Sequence, residues 1–155
     1  MLGPAFLIGV TVGLRSLTAP AVLAWAAHLG WIDLQRSPLA FMGSPITVAI
    51  FTVLAIGELI ADKLPSTPGR TRPPGLIARI VMGVLSGGVV AAAGLHSIAL
   101  GAGLGVAGGL AGTFAGYEAR TRLVKALKAP DILIACLEDT VAIGAALLIA
   151  TRFSS

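Results

Sequence analysis

The ionisable residues of this chain lie inside or at the edges of apolar runs. Arg15 stands deep within the first run, residues 4–29, with Ser16 beside it. An arginine at the centre of a bilayer costs about 2.5–3.5 kcal/mol on insertion scales. It therefore needs a carboxylate, free carbonyls or a water-filled cavity. Gly13 before it and Pro20 after it can open a helix and free carbonyls. In a cavity Arg15 would attract an anion or orient a substrate. The plainer role, and the favoured one, is a structural ion pair that locks helices together. Glu58 and Asp62 are spaced i, i+4 and share a helix face, with Lys63 next. Two acids on one face can bind a cation or exchange a proton. They can equally anchor a basic loop through Arg70, Arg72 or Arg79, which is the favoured reading. Glu138 and Asp139 are adjacent and point about 100° apart on a helix, so each needs its own partner. Arg15 or Arg79 could serve one of them, and water or a cation the other. His96, beside Ser97 between two apolar runs, reads as a polar interface residue before a ligand or proton relay. His28 is the only other histidine, which makes a zinc constellation improbable, and Cys136 stands alone. The expectation is no metal and no cofactor.

The elements that carry these residues follow from composition. Of 155 residues, 56% are hydrophobic and 12% charged, and the mean hydropathy is +0.94. Soluble domains carry about 25% charged residues. This excludes an ordinary cytosolic enzyme, a disordered segment and a nucleic-acid module. The net charge of +4 does not reverse that, because the basic residues cluster between apolar runs. The fold class expected is all-α, a polytopic transmembrane helix bundle forming one domain over residues 1–155, with the lipid bilayer as its main partner. Five apolar segments emerge, at residues 4–29, 44–61, 75–95, 97–117 and 131–150. They are continuous and do not alternate, which favours helices over strands. Ser44-Pro45 and Pro130-Asp131 mark helix starts. Pro65, Pro68, Pro73 and Pro74 predict an irregular loop. The start of the chain has no positive residue before its apolar stretch, so it reads as a retained first helix and not a signal peptide.

Charge sets the expected orientation. Residues 62–72 hold Lys63, Arg70 and Arg72, and residues 118–128 hold Arg120, Arg122, Lys125 and Lys128. Lysine and arginine stay cytoplasmic. With five spans both basic loops and the N-terminus fall in the cytoplasm, and Arg152 falls outside. The second basic stretch could also meet anionic headgroups, although setting topology is the plainer role. A short echo links Gly13-Leu14-Arg15-Ser16-Leu17 to Gly94-Leu95-His96-Ser97-Ile98, and Gly57-Glu58 to Tyr117-Glu118. Duplicated halves are common in transporter folds, with sites between the repeats. The fourth segment is dense in glycine. Gly101, Gly105 and Gly109 form one four-residue series, and Gly108, Gly112 and Gly116 another. Such series allow close helix contact, within one chain or in a homo-oligomer.

Three stretches resemble the bacterial family catalogued as domain of unknown function 4126: Gly13-Leu14-Arg15-Ser16 with Pro20, Glu58-Leu59-Ile60-Ala61-Asp62-Lys63-Leu64-Pro65, and Leu137-Glu138-Asp139-Thr140-Val141-Ala142. The middle stretch is the most specific. The chain departs before its last helix, where only residues 125–131 stand in place of a longer polar segment rich in serine, proline and asparagine. The resemblance implies an integral membrane protein and supplies no activity. It also implies that Arg15, Glu58, Asp62, Lys63, Glu138 and Asp139 belong to one polar centre.

The function expected is a small transporter or channel in a bacterial cytoplasmic membrane, passing an ion or small solute. Its binding residues are expected among Arg15, Ser16, Glu58, Asp62, Lys63, Arg79, His96, Glu138 and Asp139. The alternative is a structural or assembly protein held by glycine packing, without transport. A lipid-headgroup enzyme using Asp62, Glu138 and Asp139 to hold magnesium is disfavoured, because the dense aspartate motif is lacking.

Overall fold

A computed structural model describes residues 2–64 and 72–154. Among the described residues the regular structure is helical: α1 (Gly3–Leu14), α2 (Thr18–His28), a 3-10 turn at Ala40–Gly43, α3 (Pro45–Ala61), α4 (Pro73–Ala93), α5 (Ile98–Leu127) and α6 (Asp131–Thr151). Helices α4, α5 and α6 are each long and apolar enough to cross a membrane, while α1 and α3 are shorter apolar helices. Many large apolar side chains lie on the exterior. Ile46, Val53, Leu100 and Leu148 all face outward, as lipid-facing positions do.

Local sequence explains the starts. The Ser44 side chain accepts from the Thr47 amide at 3.2 Å, and Pro45 follows where its missing donor costs nothing. Pro73 and Pro74 open α4 in the same way and are not part of a loop. Pro65, Pro68 and Arg70 lie outside the described residues. Asp131 occupies the first turn of α6.

Two expected segments differ. The run at residues 4–29 is not one helix. It breaks at Arg15, whose backbone is extended, and resumes at Thr18. Helix α5 runs past Tyr117 to Leu127, so most of the expected basic loop is helical. An Arg122–Glu118 pair at 2.7 Å, one helical turn apart, supports that extension.

Contacts fix the directions. The Gly13 carbonyl meets Arg79, while Gly3 and Pro4 share a cleft with Arg152. Helix α1 therefore starts at the end where α6 finishes and rises toward the start of α4. Helix α2 returns, and His28 reaches the Gly43 carbonyl at 3.0 Å. At 12 and 11 residues, α1 and α2 extend only about 18 and 16 Å. They form a hairpin that enters and leaves at one end of the bundle. At the other end lie Lys63, Arg72 and the basic tail of α5. The expectation that α1 begins on the side of the basic segments is thus corrected: Gly3 and Arg152 share the opposite end. The cause is the break at Arg15, which turns one long helix into a hairpin of two short ones.

The glycine series sort cleanly. Gly101 and Gly105 face Gly83, Gly87 and Ala91 of α4, and Gly108 and Gly112 face Phe6 and Val10 of α1. A Cβ at Gly83 would stand 2.8 Å from the Gly105 carbonyl oxygen, a separation that side chains do not adopt. Gly109 meets both neighbours, near the Arg79 and Gly9 carbonyls, and Gly116 is buried. Both series are therefore occupied inside one chain.

Candidate functional site at the hairpin tip

The tip of the hairpin, Arg15-Ser16-Leu17, is a stretch of non-helical backbone inside the bundle. Arg79 lies six positions into α4 from Pro73, and Asp139 eight positions into α6 from Asp131. At 1.5 Å per residue the tip sits about 10 Å inside that end of the bundle. Backbone at such depth must have its polar groups met by protein or water.

Both cut ends are met by side chains of the correct sign. The α2 end is positive and presents free amides. Glu58, on the last turn of α3, accepts from the Ser16 and Leu17 amides at 2.8 Å each, and from the Ser16 hydroxyl. The α1 end is negative. There the Arg79 Nε donates to the Gly13 carbonyl at 3.0 Å, and its Nη1 donates to Gly75. The Thr113 hydroxyl also approaches Gly13, at 3.4 Å, but holds its shorter bond of 2.7 Å to Gly109. One carboxylate and one guanidinium thus cap the two halves of the break.

Arg15 itself is 1% exposed. Its Nη1 donates to Asp62, and its Nη2 meets Asp139 as an ion pair without hydrogen-bond alignment. Its Nε, also buried, has no hydrogen-bond partner. The pairing continues outward in alternating charge. Asp139 holds Lys63 at 2.8 Å, and Lys63 also donates to the Leu59 carbonyl at 3.0 Å. Asp62 meets Arg120 at 3.4 Å. Arg120 pairs with Asp131 at 2.6 Å and stands 3.5 Å from Glu138. Asp62, Lys63, Asp139 and Arg120 are each partly exposed, so the network grades from a buried tip to a partly exposed rim.

Of the residues singled out in the sequence, Arg15, Ser16, Glu58, Asp62, Lys63, Arg79, Glu138 and Asp139 come together here. Glu138 and Asp139 do take separate partners, as their directions require. His96 does not join them: it is exposed in the turn between α4 and α5, at the far end of the bundle, beside a cleft shared with Asp33 and Arg36. Arg120, Asp131 and Thr113 belong to the centre and were not singled out for it. The sequence reading puts Arg120 in a loop, whereas the continuation of α5 places it on the helix. Among the described residues, no group of three or more His, Cys, Asp and Glu side chains is gathered to hold a metal ion.

The two echoed stretches both fall at helix breaks, Arg15-Ser16-Leu17 between α1 and α2 and Leu95-His96-Ser97 between α4 and α5. They lie at opposite ends of the bundle. No curated protein and no solved structure matches the chain. A family model described as Domain of unknown function (DUF4126) matches residues 2–152.

Proposed function

We propose, for a chain that belongs to this family of domains of unknown function, a role as a small membrane transporter or channel whose hairpin tip is an ionic gate. The observation that carries this is the tip itself: a helix broken at depth, its two ends held by Glu58 and Arg79 and its arginine held by Asp62 and Asp139. Half-helix ends at depth are how many transporters present backbone groups and dipoles to a permeant ion. The proposed permeant species is a small cation or a proton, received by Asp62 and Asp139. In the closed state Arg15 and Lys63 occupy those carboxylates, and an arriving cation competes with them. The basic segments are placed in the cytoplasm, in a bacterial cytoplasmic membrane, with Gly3 and Arg152 on the far side. The three-helix halves then run in opposite senses, α1–α3 against α4–α6. That relation, with the echoes at both junctions, supports an inverted repeat.

A second reading, a structural membrane protein without transport, is favoured by one observation. Arg15 is buried against acids, and both glycine faces are used within the chain. Flux separates the two. Purified protein in liposomes is loaded with sodium, potassium or proton gradients and followed by ion-sensitive dyes. The gate reading expects flux that falls at least about tenfold in Asp139→Asn, whose lost charge removes one of the two carboxylates. No flux of any of these ions from folded protein overturns it and leaves the structural reading. Catalysis is not part of either reading; metal-dependent phospholipid turnover by the purified protein would contradict both.

A further inference from the structure

Helices α1 and α6 meet only partly, and a cleft of about 480 Å³ runs between them. Its walls are Leu7, Val10 and Leu14 on one side and Val141, Ala145 and Leu148 on the other, with Arg152 at its mouth. Leu7, Val141 and Leu148 are more than half exposed, so the cleft opens sideways, toward the surroundings of the bundle. It lies parallel to both helices. From residue 141 to residue 152 of α6 is about 16 Å along the axis. The floor ends at Leu14 and Val141, next in sequence to Arg15 and close to Asp139.

Arg152 gives the cleft a polar end. No carboxylate among the described residues pairs with it, whereas Arg15, Arg120 and Arg122 each have one. It lies at the end of the bundle away from the lysine and arginine clusters that set orientation, where Arg36 in the α2–α3 loop is the other arginine. An unpaired guanidinium above an apolar slot of this length matches one ligand chemistry: an acyl chain carrying a phosphate. We infer that the α1–α6 cleft retains one phospholipid, its acyl chain lying between Leu7, Val10, Val141 and Ala145 and its anionic headgroup on Arg152. Arginine binds phosphate oxygens through paired N–H donors, and because the surrounding lipid is already apolar, the chain gains by close packing in the cleft and not by leaving water. The inference rests on the membrane setting and not on the gate. A tail seated there fills the space beside the Arg15–Asp139 contact and limits how far α6 can move from α1.

Native mass spectrometry of detergent-purified protein tests this, with phosphatidylglycerol or the zwitterionic phosphatidylcholine added back after delipidation. Wild-type protein should retain one phosphatidylglycerol per chain, more tightly than phosphatidylcholine. Ala145→Trp, which fills the cleft, should abolish the retained adduct. Arg152→Gln should weaken phosphatidylglycerol retention about fivefold, the scale of one basic side chain at a membrane surface, and leave phosphatidylcholine unchanged. Thermal melting in detergent checks that both variants remain folded. An adduct equally strong in Ala145→Trp and wild type overturns the inference, and so does equal retention of both lipids in wild type and Arg152→Gln. Because the readout is lipid mass and not ion flux, it can fail while the gate stands, or stand while the gate fails.

Discussion

Replacing Glu58 by alanine should release the hairpin tip. The carboxylate accepts the Ser16 and Leu17 amides at 2.8 Å each, plus the Ser16 hydroxyl. Ser16 is 6% exposed, so water reaches it poorly. A stranded buried amide costs about 1–3 kcal/mol, and two of them together about 2–6 kcal/mol. The lost charge at the α2 end adds about 0.3–2 kcal/mol. The hydroxyl can turn to another acceptor and recovers part of this. The expected local cost is therefore about 4 kcal/mol, which is roughly a thousandfold in an opening equilibrium. Glu58→Gln keeps one good acceptor oxygen and should lose about half as much. The assay is amide hydrogen exchange followed by mass spectrometry, on peptides covering residues 13–20, in detergent or nanodiscs. Exchange at Ser16 and Leu17 should accelerate by about two to three powers of ten in Glu58→Ala, with α4–α5 peptides little changed. Exchange within threefold of wild type at both amides would refute the capping argument.

Arg15→Met should cost less than a typical broken buried pair of about 3–5 kcal/mol, because Asp62 keeps Arg120 and Asp139 keeps Lys63. In a double-mutant cycle by thermal or chemical unfolding, Arg15→Met and Asp139→Asn should couple by about 1–3 kcal/mol; additivity would deny that their contact matters. Gly105→Leu should destabilise by more than about 3 kcal/mol, because α4 backbone at Gly83 and Gly87 leaves no room and overpacking displaces helices. Gly103→Leu points into open space and should gain up to about 0.8 kcal/mol from helix propensity. Equal melting temperatures for the two leucine variants would contradict the packing assigned to α5.

Much of this architecture is legible in the residues. Continuous apolar runs give helices, and Ser44-Pro45 marks the start of α3 correctly. The i, i+4 spacing of Glu58 and Asp62 places both carboxylates toward the hairpin tip, as one shared face requires. The break at Arg15 is only half legible. Gly13 and Pro20 signal a weak helix, but hydropathy over residues 4–29 is continuous, and neither residue says where the chain turns. What decides the break is tertiary: Glu58 from α3 and Arg79 from α4 supply the caps that the local sequence lacks. Because a turn and a kink look alike in hydropathy, the side of the bundle on which α1 begins is inverted in the sequence reading. The continuation of α5 is hidden for a different reason. Residues 118–127 carry Glu118, Arg120, Arg122 and Lys125 and resemble a charged loop, yet most of them are good helix formers, and Glu118 and Arg122 pair one turn apart.

The hairpin itself is the claim on which the rest depends, and side-specific labelling tests it most directly. In a Cys136→Ser background, Gly3→Cys, Arg122→Cys and Ser154→Cys are reacted with a membrane-impermeant maleimide in sealed, oriented vesicles. Gly3→Cys and Ser154→Cys should label from one face and Arg122→Cys only from the other. Labelling of Gly3→Cys together with Arg122→Cys, from the face opposite Ser154→Cys, would mean that residues 4–29 cross the membrane once, and would contradict the account.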